Sequence, residues 1–130
     1  MPQQEIEVLL ARQLAIYLAV PIYIVDPQGT LLFYNEPVER ILGLQFEAAG
    51  EMSAADWTIL FTPKGEHDAR LAPEALPYMI ALAEQRLAHD KFWIEGRDQV
   101  RRCLEVTAFP LLGQARRNLG AVVLFWEVCE

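Results

Sequence analysis

The chain has 130 residues, a hydrophobic content of 53%, a charged content of 22% and a formal net charge of −7. This predicts one folded domain with a substantial core, and it argues against a disordered chain and against charge-driven binding of nucleic acid. Two cysteines do not make a disulfide framework, so we expect a cytoplasmic protein. The longest apolar run, residues 14–25, is too short to span a bilayer, so we expect no membrane association.

The first predicted element is a helix over residues 3–20, which Pro21 ends. Large apolar side chains recur along it at helical spacing: Ile6, Leu9, Leu10, Leu14, Tyr17 and Leu18. A helix this apolar must dock on its own domain, on a second copy of the chain, or on both. We therefore divide the chain into a capping or dimerisation helix, residues 1–20, and a domain of residues 21–130.

Residues 22–34 predict a β-hairpin. Two runs rich in β-branched and aromatic residues flank Asp26-Pro27-Gln28-Gly29, where Pro fixes one corner of a turn and Gly accepts the positive φ that closes it. Asn35 then stands where its side chain can cap the first amide groups of a short helix. Gly43 is expected to end that helix.

The remaining pattern predicts helices and then three strands. Residues 44–72 are irregular, with bulky Trp57 and Phe61, and a longer helix is expected from Pro73 to about His89. Strands follow over residues 91–97, 100–112 and 119–128, joined by short turns. The predicted fold is α+β: one five-stranded antiparallel sheet with helices over one face and an amphipathic N-terminal helix.

Strand alternation assigns the side chains to two sheet faces. The face expected beneath the central helices carries Tyr23, Val25, Leu31, Phe33, Phe92, Ile94, Leu104, Val106, Ala108, Val123 and Phe125. The other face is also apolar, and leaving it bare would expose a patch of roughly several hundred Å², the scale of an interaction site. We expect the N-terminal helix or a second subunit to cover it, through the candidate interface residues Leu10, Leu14, Tyr17, Trp93, Phe109, Leu124 and Trp126.

The hairpin and the segments around it resemble a PAS domain, a small sensory module of signalling proteins. The similar segments are Ile24-Val25-Asp26-Pro27-Gln28-Gly29, Phe33-Tyr34-Asn35, Ile41-Leu42-Gly43, Leu71-Ala-Pro-Glu-Ala-Leu-Pro77, Leu104-Glu-Val-Thr-Ala-Phe-Pro110 and the run from Leu119 to Glu127. The resemblance spans residues 20–128. It implies an antiparallel five-stranded sheet with helices on one face, and a role in sensing or dimerisation, with a ligand sometimes held between helices and sheet.

The resemblance also raises the question of whether the chain binds a flavin or haem cofactor. Flavin-binding light sensors of this family carry an Asn-Cys-Arg-Phe-like stretch on a central helix, and nothing here matches it. Haem-binding members usually place a His on the long helix, whereas His89 is expected only at its far end, where the helix dipole favours it. We therefore predict no cofactor, and a haem- or flavin-binding sensor remains the alternative.

The core residues are candidates for a cavity that takes an apolar or aromatic small molecule. Alternatively, the same side chains simply fill the core. The candidates are Tyr23, Phe33, Trp57, Phe61, Met79, Leu82, Phe92, Ile94, Leu104, Val106 and Phe125.

Catalytic patterns are missing from the sequence, so an enzyme is not predicted. Ser53 is the sole serine, the expected inner face has no carboxylate, and Glu66-His67-Asp68 has no partner at metal-ligand spacing. A small α+β enzyme of the isomerase type is the less favoured alternative. The expected partners are a second copy of the chain or a signalling protein, and the chain is either a stand-alone module or one domain of a longer protein.

Overall fold

The computed structural model describes residues 6–43, 45–57, 76–95 and 100–128. In chain order its elements are α1 (Ile6–Tyr17), β1 (Ile22–Val25), β2 (Leu31–Tyr34), α2 (Glu36–Leu42), α3 (Phe46–Ala49), α4 (Ala54–Trp57), α5 (Pro77–Glu84), β3 (Ala88–Glu95), β4 (Arg101–Leu112), a 3₁₀ turn (Gln114–Arg116) and β5 (Asn118–Glu127).

The five strands form one antiparallel sheet in the order β2-β1-β5-β4-β3. The larger core cluster lies between one face of this sheet and the central helices, including α5. A smaller apolar cluster on the opposite face lies beneath α1. The predicted α+β architecture is therefore confirmed, with helices on both sides of the sheet once α1 is included.

The hairpin has the predicted turn. The Gly29 amide donates to the Asp26 carbonyl oxygen over 2.9 Å, and Gly29 has a positive φ of 86°. The Asp26 carboxylate adds two bonds, because its Oδ1 accepts the amides of Gln28 and Thr30 over 2.9 Å each. Gly43 ends α2 as predicted, in the left-handed conformation and with its amide donated to the Glu39 carbonyl oxygen.

A bulge in β2 changes which residues face the core. The register pairs Ile24 with Phe33 but Val25 with Leu31, so one residue of β2 is skipped. One extra residue reverses the alternation beyond it. Tyr34 therefore joins the inner core, while Phe33 lies in the outer cluster. The prediction of Phe33 on the inner face and Tyr34 on the outer face was wrong for this reason.

The long helix is shorter than predicted. Leu76 is extended, Pro77 opens α5, and Gln85 ends it in the left-handed conformation at φ 53°. The predicted start at residue 73 lies outside the described residues. His89 was placed at a helix end, and that prediction was wrong because β3 already begins at Ala88. The strand thus starts three residues earlier than expected from the sequence.

Candidate functional site

A cavity of about 40 Å³ lies between α5 and the inner face of the sheet. A water molecule needs roughly 10–15 Å³ measured this way, so the cavity has room for a few waters or a very small molecule. Its lining is aromatic and aliphatic: Tyr23, Trp57, Leu76, Pro77, Tyr78, Phe92, Ile94, Leu104, Val106 and Phe125.

Trp57 stands at the centre of the aromatic part of this lining. Its ring centroid is 5.2 Å from that of Tyr23 and 5.1 Å from that of Tyr78, both at tilted angles that suit ring quadrupoles. The indole Nε1 donates to the Gly29 carbonyl oxygen over 2.8 Å. The hairpin turn therefore holds the indole, and the indole in turn holds the two tyrosine rings.

The two cavity phenols stay neutral at physiological pH. Burial raises the pKa of Tyr23, and the neighbouring Tyr78 raises it further. Burial also raises the pKa of Tyr78. Each hydroxyl is therefore suited to hydrogen bonding with a neutral group and is not available as a base.

The structure brings most of the predicted pocket residues together around this cavity: Tyr23, Trp57, Phe92, Ile94, Leu104, Val106 and Phe125. Met79 and Leu82 pack against the same core without lining the cavity. Phe61 lies outside the described residues. Phe33 is on the other side of the sheet, where its ring contacts Phe46 at 5.3 Å between centroids.

Sequence reasoning missed three lining residues at the start of α5: Leu76, Pro77 and Tyr78. With the helix start expected at residue 73, Leu76 is predicted on the apolar side of the helix and Pro77 and Tyr78 are not, and none of the three is predicted to line a pocket. A proline is favoured at the first helical position, and an extended residue precedes it. Pro77 was the signal that could have located this helix start.

Helix α1 turns its small residues toward the sheet. Val8 and Ala15 are buried, and Ala11 packs with the outer cluster. The large apolar residues of the predicted stripe point away, with exposures of 58% for Leu10, 60% for Leu14 and 77% for Tyr17. The helix docks on its own domain, one of the expected arrangements, through its small residues, and the interface candidates Leu10, Leu14 and Tyr17 face outward.

Asn35 fastens this helix to the domain. The side chain is 3% exposed, and its Nδ2 donates to the carbonyl oxygens of Ala15 over 3.0 Å and Val20 over 2.9 Å. Its Oδ1 accepts the Ile22 amide over 3.1 Å. The predicted side-chain cap of α2 is not formed; the Asn35 backbone carbonyl accepts the Val38 amide instead.

Helix α1 covers only part of the outer sheet face. Leu124 is half-buried in the outer cluster, whereas Phe109 and Trp126 remain 37% and 38% exposed. Trp93 is half-buried, with the Arg101 guanidinium 4.9 Å from its ring centroid. Of the two expected covers for this face, the N-terminal helix accounts for only part of it.

Polar residues separate the exposed aromatic groups on this face. His89 Nδ1 lies 2.7 Å from the Thr107 hydroxyl, and its Nε2 lies 3.3 Å from a Glu105 carboxylate oxygen. Its ring is 6.3 Å from the Trp126 ring, between centroids. This part of the outer face is therefore mixed in polarity, unlike the outward side of α1.

Neither a metal-ligand cluster nor a membrane-spanning helix is seen in the part of the chain that the structure describes. Three or more His, Cys, Asp or Glu side chains do not come together there as metal ligands would. Nor does that part contain a helix both long and apolar enough to cross a bilayer.

Comparison with known proteins shows which fold this is. No protein-family model and no curated protein sequence matches the chain. Solved structures do match: the PAS domain of Bordetella pertussis BvgS has a TM-score of 0.73 at 17% identity, over 97% of this chain and 89% of that one. A PAS domain from Colwellia psychrerythraea has a TM-score of 0.64 at 17% identity, over 93% of this chain and 97% of that one.

A light-oxygen-voltage (LOV) protein is also similar. The protein from Rhodobacter sphaeroides has a TM-score of 0.73 at 14% identity, over 97% of this chain and 70% of that one. The chain therefore has the PAS fold, as its sequence resemblance implied. Identities this low establish the fold and leave the function to be argued from the residues.

Proposed function

We propose that this chain is a sensory signal-transduction module that binds a small apolar or aromatic molecule in its core and responds by self-association or by docking a partner protein. The observation that carries the proposal is the cavity beneath α5, with Trp57 between Tyr23 and Tyr78. Its similarity in fold to PAS domains and to a fungal LOV domain photoreceptor, with a TM-score of 0.62, supports a sensory class.

The chemistry of the lining favours an uncharged ligand. Aliphatic and aromatic side chains form most of the wall, and its two phenols are neutral at physiological pH, a state that burial favours further by raising the pKa of each. A charged ligand would lose its hydration here without gaining an ionic partner from the described lining. A single hydroxyl or carbonyl on the ligand could exchange a hydrogen bond with a phenol.

The size of the cavity limits the ligand to a small one. A cavity of roughly 150 Å³ accepts benzene, whereas this one measures about 40 Å³. An aromatic ligand therefore requires the wall formed by Leu76, Pro77 and Tyr78 to move outward. That movement would give the module a way to convert binding into a change of shape at α5.

The alternatives are less well supported. A haem or a flavin is far larger than this cavity, and only the fold similarity to LOV domains favours such a cofactor. For an enzyme, the described lining offers two phenols of raised pKa as titratable groups, which are poor bases at neutral pH. We therefore propose a binding module rather than a catalyst.

The first test is native mass spectrometry of freshly purified protein, together with an absorbance scan. A retained small molecule of low polarity is the expected result. A Soret band or a flavin spectrum would instead establish the cofactor alternative. The subunit count is obtained from the same spectrum.

The second test uses phenol and toluene as probes, with two variants that each add one methylene. Val106 lines the cavity, whereas Val123 is fully buried in the same core without lining it. Val106→Leu should fill the cavity, keep or raise stability and abolish the probe-induced shifts of the tyrosine NMR signals. Val123→Leu should cost about 1–3 kcal/mol by overpacking. Equal probe binding by wild type and Val106→Leu contradicts the cavity assignment.

A further inference from the structure

The hydroxyl of Tyr78 is a buried polar group that no described residue binds. Tyr78 is 6% exposed, stands in the first turn of α5 and lines the cavity. Its ring lies against Trp57, with 5.1 Å between centroids, but its oxygen has no hydrogen-bond partner among the described residues. Fully enclosed side-chain nitrogens and oxygens of the described chain all have partners. The Tyr78 oxygen therefore borders open space, and the cavity is the space that Tyr78 lines.

We propose that the Tyr78 hydroxyl is the polar anchor of the cavity, and that the ligand is an uncharged molecule with a carbonyl or hydroxyl oxygen rather than a hydrocarbon. The inference rests on the proposed function, because it names the chemical class of the ligand for the same cavity. Tyr78 is then the residue that decides which ligand is bound, while the apolar lining supplies most of the contact area.

The other two polar side chains of the described lining are engaged elsewhere. Only Tyr23, Trp57 and Tyr78 carry a polar side-chain atom in that lining. The Trp57 indole Nε1 donates to the Gly29 carbonyl oxygen over 2.8 Å, so it has no hydrogen left for a ligand. The Tyr23 ring packs against Trp57 and Phe125, at 5.2 and 6.2 Å between centroids, and Tyr23 has further interactions besides these.

Tyr23 and Tyr78 belong to opposite walls of the cavity. Tyr23 is in β1, which is paired with β2 on one side and β5 on the other, whereas Tyr78 is in the first turn of α5. The neighbouring Tyr78 raises the pKa of Tyr23, which places the two phenols close enough to interact between helix and sheet. Because a strand fixed on both sides moves less than the first turn of a helix, Tyr78 is the phenol better able to adjust to a ligand.

An oxygen on the ligand is favoured because the Tyr78 hydroxyl needs a partner. A ligand that enters the cavity displaces water, and water is the molecule that satisfies such a hydroxyl in the free protein. A hydrocarbon would displace the water without replacing its hydrogen bond, and would leave the hydroxyl buried and unpaired. A carbonyl or hydroxyl oxygen restores the bond. Sites with a buried polar group discriminate in this way against analogues that lack its partner.

The described lining offers no opposite charge to an ionic ligand. Among the lining residues that the structure describes there is no Lys, Arg, Asp, Glu or His, and both phenols are neutral at physiological pH. A carboxylate or an ammonium group would lose its hydration without gaining an ionic partner. The ligand class is therefore that of alcohols, phenols, aldehydes and ketones.

The deciding experiment compares the affinities of phenol and toluene for wild type and for Tyr78→Phe by NMR titration. The two probes are of equal size and differ by one oxygen, so the cost of moving the cavity wall cancels in the ratio of their affinities. Tyr78→Phe likewise removes one oxygen and keeps the ring that contacts Trp57. The preference for phenol over toluene should fall roughly 5- to 20-fold in Tyr78→Phe. The affinity for toluene should stay the same or rise, which a merely structural role of Tyr78 would not produce.

Tyr34→Phe is the matched control, because Tyr34 is 1% exposed in the same core but does not line the cavity. It should keep the wild-type preference to within about twofold, and circular dichroism should show both variants folded. An unchanged preference in Tyr78→Phe overturns the inference, as does a loss at least as large in Tyr23→Phe. In either case the cavity proposal stands if the probes still bind. If neither probe binds wild type, the proposed function fails and the inference fails with it.

A second pair of probes tests the carbonyl part of the proposal. Cyclohexanone accepts a hydrogen bond but donates none, and methylenecyclohexane has the same shape without the oxygen, so the Tyr78 hydroxyl must act as the donor. The preference for cyclohexanone over methylenecyclohexane should fall in Tyr78→Phe by about the same factor as the preference for phenol. An equal preference in wild type and Tyr78→Phe would contradict Tyr78 as the donor to a ligand carbonyl.

Discussion

The substitution Asn35→Asp separates two roles that the sequence allows for this residue. As a side-chain cap of α2, Asp would serve about as well as Asn, and the change would be nearly neutral. In the structure the Asn35 amide nitrogen instead donates to the carbonyl oxygens of Ala15 and Val20. A carboxylate cannot make either bond and would face two carbonyl oxygens at about the same distance.

The magnitude follows from the three bonds that this buried side chain makes. Asn35→Ala removes bonds of 2.9, 3.0 and 3.1 Å and leaves the Ile22 amide without the side-chain oxygen that it binds. At about 1 kcal/mol per bond, with an added cost for a buried unsatisfied amide, the loss is roughly 3–5 kcal/mol. Asn35→Asp keeps the Ile22 bond but introduces the repulsion, so we expect a loss of similar size.

Urea unfolding of wild type, Asn35→Asp and Asn35→Ala measures this loss from the shift of the midpoint. Asn118→Asp is the matched control, because there only the side-chain oxygen is used, accepting the Gly120 amide over 3.0 Å. We expect the control to lie within about 1 kcal/mol of wild type. An Asn35→Asp variant as stable as wild type would mean that the side chain caps α2 and does not hold α1.

Three further changes test other parts of the fold. Gly120→Ala should prevent folding, because Gly120 has a φ of 128° and an added Cβ would collide with the Val25 carbonyl oxygen. Gly113→Ala is the control, because its added Cβ meets only the movable Leu119 side chain. Circular dichroism should show the Gly113→Ala variant folded and the Gly120→Ala variant unfolded. Burial raises the pKa of Tyr23, so the folded state keeps a proton that the unfolded state releases. The free energy of unfolding should therefore be unaffected by Tyr23 below about pH 10 and should fall above it by about 1.4 kcal/mol per pH unit. In urea melts, Tyr23→Phe should lack this pH-dependent loss. Phe92→Asp should unfold the domain, because Phe92 is 8% exposed in the core. Trp93→Asp should still fold, because Trp93 is half-buried on the other face. Equal melting temperatures of the two variants would contradict the assigned faces.

Local patterns predicted the parts of the fold that local chemistry determines. The turn at Asp26–Gly29 needed only the residues that make it, and its hydrogen bonds are those expected. The strands β4 and β5 have long alternating runs, so their inner faces were assigned correctly. Part of the cavity lining follows from these strands, because Leu104, Val106 and Phe125 belong to them.

The errors arose where the outcome depended on contacts distant in sequence. The bulge in β2 depends on how β2 pairs with β1, and no residue of Leu31–Tyr34 predicts it by its type alone. Asn35 has the right chemistry for a cap, but the carbonyl groups of Ala15 and Val20 come close enough to compete for its side chain. A local preference of about 1 kcal/mol is readily overcome by several tertiary hydrogen bonds.

Helix α1 shows why amphipathic analysis alone could not decide which side of the helix packs on the sheet. The widest apolar side of a helix normally faces the core, yet here Ala15 at 1% exposure contacts the sheet and Leu14 at 60% faces outward. Small residues let the helix approach the sheet closely, and the large side chains are then left for another surface. Ala15→Leu should therefore displace α1 and cost about 1–3 kcal/mol by overpacking. Leu14→Ala should leave the stability of a dissociated monomer within about 0.5 kcal/mol, measured by urea unfolding at high dilution. If Leu14→Ala is the more damaging change in the monomer, the small side of α1 does not face the sheet.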